Sequence, residues 1–197
     1  SPATFGNPQF VQFGLNTAVK PDKLSNYEIG AKGAVFDGRL SIEAALYYMD
    51  WQDIKGSYNP LPPPNLIVVL VNGDSASGPG VDLSLAFRPV EGLEIGGNVS
   101  WNDLSNDVDV FSGIGGTLVA RKGDRVGSPE TTANGFVEIS FPIGRLTGRL
   151  YGDVNYISSW GRNSVCTANA NCLAVDSITT ASAGFTIDSP NGWSATL

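Results

Sequence analysis

The chain has 197 residues, and its 12 Lys and Arg against 19 Asp and Glu give it a formal net charge of -7. This acidic balance argues against a nucleic-acid partner, because such proteins normally present a basic stripe. The sequence contains no His, so it lacks the commonest general base and metal ligand; we predict no catalytic residue, no cofactor, no metal site and no enzymatic activity.

The first two predicted strands are "SNYEIGAKGAVF" and "RLSIEAALYYMDW", in which apolar residues recur at every second position. Asp-Gly between them favours a two-residue hairpin loop at 37–38. That register places Lys32 opposite Glu43 on a polar face. It also pairs aliphatic residues on the other face, namely Val35 with Leu40 and Ile29 with Leu46.

A long loop at about 55–65 is predicted next, followed by the longest apolar run, 66–71. This run is far shorter than the roughly 20 residues of a membrane-spanning helix. Alternation returns in "GVDLSLAF" and "LEIGGNVSW". A loop of about three residues would place Phe87 opposite Leu93 and leave Arg88 near Glu94.

The next predicted loop, 104–128, overlaps the acidic run "NDLSNDVDV", which begins at Asn102. Asp103, Asp107 and Asp109 lie close in sequence here, as the ligands of a calcium loop do. The run lacks the Gly and the terminal Glu of an EF-hand loop. We therefore interpret it as a solvated loop.

The last clear hairpin is predicted from "NGFVEISF" and "RLTGRLYGDVNY". A turn at 143–144 places Glu138 opposite Arg149 on the polar face, as a second structural ion pair. The same register pairs Gly135 with Gly152. On the apolar face it pairs Phe141 with Leu146 and Val137 with Leu150.

A further long loop, 161–174, contains Cys166 and Cys172 in "CTANANC". In an oxidising compartment two nearby cysteines favour a local disulfide. Two sulfurs without histidine make a metal site the weaker interpretation.

The lengths of the strands and loops predict the architecture. Alternation persists for about ten residues, whereas strands of a soluble sandwich average about 5–6 and membrane-barrel strands need roughly 9–11. Short connections alternate with long ones, which is typical of an outer-membrane barrel. We predict an all-β, antiparallel transmembrane barrel segment of about eight meander strands, with short periplasmic turns and long extracellular loops. A soluble secreted β-sandwich for binding or adhesion is the alternative.

Aromatic residues lie near both predicted ends of the strands. Such residues form two girdles in membrane barrels. Those near long loops are Tyr48, Trp51, Trp101, Tyr156 and Trp160, and those near short turns are Phe36, Phe87, Phe141 and Trp193.

Three stretches resemble the β-barrel of TonB-dependent outer-membrane receptors over most of 20–197. They are "KPDKLSNYEIGAKGAVFDGRLSIEAALYYMDWQDI", "VNGDSASGPGVDLSLAFRPVEGLEIGGNVSW" and "GDRVGSPETTANGFVEISF". The resemblance implies a bacterial outer-membrane receptor that takes up a scarce siderophore-, vitamin- or oligosaccharide-like ligand with energy from TonB. A passive porin is the alternative within the membrane.

The resemblance also implies partners and domain organisation. Outer-membrane lipid, an extracellular small ligand and TonB, reached through a plug domain, are the expected partners. We expect 1–197 to be a partial barrel that lacks the plug, the early strands and the closing strands. Lys32, Glu43, Glu138 and Arg149 would then line the lumen.

Overall fold

The computed structural model describes residues 20–58, 69–112, 117–161, 164–165 and 174–197. Eleven strands are found in these residues, and no helix among them is long and apolar enough to cross a membrane. The strands are β1 (Lys23–Val35), β2 (Leu40–Tyr58), β3 (Val69–Phe87), β4 (Leu93–Asn102), β5 (Ser105–Asn106), β6 (Val110–Ser112), β7 (Thr117–Ala120), β8 (Thr131–Ile143), β9 (Leu146–Ile157), β10 (Ile178–Asp188) and β11 (Ser194–Thr196).

One antiparallel sheet contains nine of these strands. Its order is β1-β2-β3-β4-β8-β9-β10-β11, with the short β5 paired to β3, while β6 and β7 form a separate hairpin. The eight strands of the main path confirm the predicted meander. The connections between these strands lie at two opposite ends of the sheet. The short turns β1–β2, β3–β4, β8–β9 and β10–β11 define the short-turn end, and the connections β2–β3, β4–β8 and β9–β10 define the long-loop end.

The β1–β2 hairpin has the predicted register. Asp37 and Gly38 have φ of 56° and 83°, and the Arg39 amide donates to the Phe36 carbonyl at 3.1 Å. Positive φ at both central residues is the type I′ turn that matches strand twist. Lys32 consequently lies opposite Glu43, as expected.

The predicted β8–β9 register is wrong by two residues. The loop residues are Gly144 and Arg145, so Ile143 lies opposite Leu146 and Glu138 opposite Tyr151. Gly144 has a φ of 64°, a backbone conformation that would be strained for the β-branched Ile143 at the first loop position. The predicted pairing of Gly135 with Gly152 fails for the same reason, because Gly135 lies opposite Val154.

The β3–β4 register also differs from the prediction by two residues. Phe87 lies opposite Ile95 rather than Leu93. The predicted proximity of Arg88 and Glu94 is nevertheless confirmed, with Arg88 Nε 2.9 Å from a Glu94 carboxylate oxygen. A shift of two residues keeps every side chain on its predicted face, since side chains alternate with a period of two.

The sheet is a single layer with almost no core. Among the described residues only Ala76 and Leu104 are buried hydrophobics. Large apolar side chains instead cover one face and stay exposed, for example Leu46 at 57% and Val154 at 50%. The β-sandwich alternative is therefore wrong, because a sandwich packs such faces against each other. We call this the outer face and the polar side the inner face.

Candidate functional site

The inner face carries the first predicted ion pair. Lys32 Nζ lies 3.2 Å from a Glu43 carboxylate oxygen, and the two side chains are 79% and 61% exposed. Such exposure lets water screen the attraction, so this pair is a weak structural link between β1 and β2.

The second predicted ion pair needs correction. Arg149 pairs across β9–β10 with Asp188, its Nε 2.7 Å and its Nη2 3.3 Å from the two carboxylate oxygens. Glu138 lies on the same face, but its cross-strand neighbour on β9 is Tyr151. The fork of Arg149 matches the two oxygens of one carboxylate, which fixes side-chain geometry better than a single contact. The sequence analysis missed Asp188 because it assigned no register to β10.

Further hydrogen bonds link side chains on the inner face. Asn134 donates from Nδ2 to Asn155 Oδ1 at 2.8 Å. The Ser182 hydroxyl donates to Asp153, and the Ser100 hydroxyl donates to Asp82. Each bond joins neighbouring strands, so polar groups on this face are paired across the sheet.

Two aromatic rings lie flat against glycines on this same face. A Cβ added to Gly80 would lie 2.1 Å from Tyr47 Cζ, and one added to Gly96 would lie 2.6 Å from Phe136 Cζ. Each ring therefore fills the space that a side chain on the next strand would occupy, the aromatic rescue of glycine seen in β-sheets. The rings therefore cover the glycines and even out the surface of the inner face.

At the long-loop end, Arg125 organises a cluster of polar groups. Its Nη1 lies 2.8 Å from Asp103 and 3.9 Å from Glu130, and its Nη2 donates to the Asn102 carbonyl. The indole of Trp101 donates to Glu130 at 2.9 Å. These contacts hold the start of the 103–130 connection to the end of β4.

A second contact joins two long connections. The Asp124 carboxylate accepts hydrogen bonds from the Ser164 amide at 3.0 Å and the Ser164 hydroxyl at 2.8 Å. It also accepts from the Arg121 amide at 2.8 Å. Desolvation is the largest single influence on the pKa of Asp124 and raises it, but these hydrogen bonds together outweigh it and lower the pKa below the ordinary value. We call this contact the loop clamp.

A cleft of about 190 Å³ opens beside the Arg125 cluster. Trp160 and Asp176 line it together with Arg125 and Glu130. The backbones of Trp160 and Val175 exchange two hydrogen bonds of 3.0 and 2.9 Å, which brings the two ends of the β9–β10 connection together. An indole, a guanidinium and two carboxylates can hold a polar ligand by stacking and hydrogen bonding.

The three aspartates of the acidic run have separate partners. Asp103 pairs with Arg125, Asp107 accepts from the Ser77 hydroxyl at 2.7 Å, and Asp109 accepts from the Lys122 amide at 2.8 Å. Among the described residues no three His, Cys, Asp or Glu side chains come together as a metal site. Each carboxylate instead tethers a different part of the loop.

Another tether lies where the chain enters β1. Asp22 accepts from Lys55 at 3.0 Å and from the Trp51 indole at 3.1 Å. The Lys55 ammonium, and after it the indole, lower the pKa of Asp22. Trp51 is therefore held by a polar contact.

Asn72 anchors an irregularity of β2. Its Nδ2 donates to the carbonyls of Lys20 and Asp53 at 2.9 and 2.7 Å. Asp53 has a φ of 53°, at a break in the β2–β3 register, so Asn72 secures a bulge. No local pattern signals Asn72, Asp124 or Ser164, since the contacts of Asn72 and the contact between Asp124 and Ser164 join residues 19 to 52 positions apart. Cys166 and Cys172 lie outside the described residues.

Sequence comparison identifies one family. The family described as TonB dependent receptor-like, beta-barrel matches residues 2–197. No individually curated protein matches the chain.

Three solved structures share the fold. The ferric preacinetobactin receptor BauA of Acinetobacter baumannii matches with a TM-score of 0.59 and 20% identity, over 96% of this chain and 25% of that one. The Ferric-Catecholate import receptor Fiu of Escherichia coli K12 gives 0.54 and 18%, over 87% and 22%. The FrpB iron transporter of Neisseria meningitidis gives 0.60 and 17%, over 90% and 26%.

The chain thus spans about a quarter of the length of these receptors. Its sheet, with short turns at one end, long connections at the other and an apolar outer face, corresponds to part of their barrel wall. Barrels of this family lie in the bacterial outer membrane. From the family match and the shared fold, this chain belongs to the TonB-dependent receptor β-barrel family.

Proposed function

We propose that this chain is part of an outer-membrane receptor that takes up a scarce ligand actively, with energy from TonB. The observation that carries the proposal is the two-sided, two-ended sheet. Its apolar outer face suits hydrocarbon, its polar inner face suits a filled lumen, and its elaborated loops lie at one end only.

A ferric chelate is the ligand class that we favour. The three solved structures are named for ferric preacinetobactin, for ferric catecholates and for iron. A vitamin or an oligosaccharide is the next class to test, since the identities lie below the level at which binding specificity transfers.

The described residues suggest a division of labour. Lys32, Glu43, Glu138 and Arg149 would line the lumen and fix the wall, since Lys32 pairs with Glu43 and Arg149 with Asp188. The cleft beside Trp160 and Arg125 would contact the ligand from the extracellular side. The loop clamp would hold the two connections that border it.

The domain assignment follows the same proposal. Residues 1–197 would be a section of a larger barrel, and TonB would act through a plug domain. A disulfide between Cys166 and Cys172 would close the tip of the 161–174 loop in the oxidising environment that this location provides.

Uptake by intact cells tests the function. Cells that express the complete receptor would be given radiolabelled ferric chelates, with and without a working TonB. We expect accumulation that requires both the receptor and TonB. Accumulation that persists without TonB, or ion conductance without any ligand, would instead establish the passive porin.

The cleft can be tested in the same cells. Trp160→Ala should weaken ligand binding while the receptor still assembles. Trp193→Ala is the matched control, because Trp193 lies beside the short turn at the other end of the sheet. Equal binding by both variants would remove the cleft from the proposal.

A further inference from the structure

The described part of the outer face contains an open groove in its apolar surface, between β4 and β8. Gly97 of β4 lies directly opposite Gly135 of β8, and both positions belong to the outer face. Two adjacent positions without side chains leave a groove of about 510 Å³. Aliphatic side chains form its walls, among them Leu83, Leu85 and Val99.

The two glycines are present for different reasons. A Cβ on Gly97 would lie 2.4 Å from the Asn134 carbonyl oxygen, so the close approach of the backbones requires glycine there. A Cβ on Gly135 would meet nothing within 4 Å, and Gly135 has no positive φ. Glycine in a strand costs stability, and neither packing nor backbone conformation demands it at Gly135. What it preserves is the open space of the groove.

The position of the groove indicates what covers it. Phe36, Leu40 and Phe87 also line it, and all three lie beside short turns. The groove therefore opens in the half of the outer face that lies toward the periplasm. The family places this face in a bilayer, so the adjoining medium there is the hydrocarbon of the periplasmic leaflet.

We propose that the groove seats one acyl chain of a phospholipid from the periplasmic leaflet. A lipid chain is as apolar as the groove walls, so the gain comes from van der Waals contact with a preformed concave surface. The concave groove offers such a chain more contact than a flat wall does.

A photoactivatable phospholipid tests the proposal. The complete receptor would be reconstituted with phosphatidylethanolamine that carries a diazirine in its acyl chain, and labelled residues would be located by mass spectrometry. We expect labelling to concentrate on Leu83, Leu85 and Val99. Leu46 and Leu150, which are exposed on the same face outside the groove, should be labelled less.

Substitutions sharpen the test. Gly135→Leu would place a side chain in the groove, where its Cβ meets nothing within 4 Å, and should reduce labelling there to the level of the flat wall. Gly33→Leu is the matched control, since Gly33 also lies on the outer face with nothing within 4 Å but outside the groove. This variant should keep the labelling of the unmodified protein.

Three outcomes would overturn the proposal. They are uniform labelling of the outer face in the unmodified receptor, groove labelling unchanged by Gly135→Leu, and cross-links at the groove to a second receptor copy in place of lipid. If Gly135→Leu fails to assemble, the label distribution in the unmodified receptor decides alone.

Discussion

The two faces of the sheet are made by the same strands and the same backbone hydrogen bonds, yet they are built on opposite principles. On the outer face, side chains such as Leu46, Leu150 and Val154 are large, apolar and exposed. On the inner face, ionic and hydrogen-bonded side chains are paired across strands, as Arg149 is with Asp188. The outer face requires only that its side chains be apolar. The inner face requires that particular side chains lie opposite each other on neighbouring strands.

A charge on the outer face should have the largest effect. Leu46→Arg or Leu150→Arg should destabilise the folded barrel by about 2–4 kcal/mol, because a charge near the bilayer midplane loses its water. The folded fraction of the complete receptor, followed by its heat-dependent mobility in gels and by urea titration, measures this loss.

Ala45→Arg is the control for Leu46→Arg. Ala45 is the next residue along β2 but lies on the inner face opposite Asp82, so its variant should assemble normally. Equal assembly of the Ala45 and Leu46 variants would show that the two faces do not differ as we describe.

A branched side chain under Tyr47 should have a moderate effect. Gly80→Val would displace the ring that now covers Gly80, and overpacking of this kind costs about 1–3 kcal/mol. Urea unfolding of the variant measures the cost. Adding Tyr47→Ala should remove most of it, because the clash disappears with the ring. A double variant as unstable as Gly80→Val alone would contradict the proposed contact.

Loss of one charge on the inner face should have a smaller effect on stability. The effect should depend on which two residues are combined. A double-mutant cycle between Arg149 and Asp188 should give a favourable coupling energy that weakens with salt, because the side chains are partly exposed. The same cycle between Arg149 and Glu138 should give a weaker coupling, since Glu138 lies opposite Tyr151. Stronger coupling to Glu138 would restore the register predicted from sequence.

The loop clamp should give the smallest effect, confined to low pH. Because folding lowers the pKa of Asp124, its contribution is complete above the ordinary value of 3.8 and is lost as the pH falls through the lowered pKa. Trp160 fluorescence should therefore change on acidification below this value.

Asp124→Asn tests this assignment. The variant should lose the low-pH change in fluorescence, while Asp109→Asn should keep it, because the Asp109 carboxylate accepts from Lys122 rather than from the β9–β10 connection. A change that persists in Asp124→Asn would assign it to another group.

Two hairpins show how far a sequence pattern can predict the register of paired strands. Asp37-Gly38 identified its own turn, so every pair from Val35–Leu40 to Lys32–Glu43 was predicted correctly. At β8–β9 a single glycine, Gly144, could occupy either position of a two-residue loop, and the wrong choice moved the register by two. The faces of the side chains were still predicted correctly, because side chains alternate with a period of two. The predicted pairing of Glu138 with Arg149 was wrong.

The sequence by itself determined the long strands of the main sheet, the two faces and the family, because period-two alternation is a local property that sorts side chains between hydrocarbon and water. It did not show β5, β6 and β7, which lie within the stretch predicted as the loop 104–128. Only the tertiary structure decided the pair Arg149–Asp188, the clamp between Asp124 and Ser164 and the groove beside Gly135. Each joins residues on different hairpins or connections, and such contacts depend on register and chain reversal rather than on any local pattern.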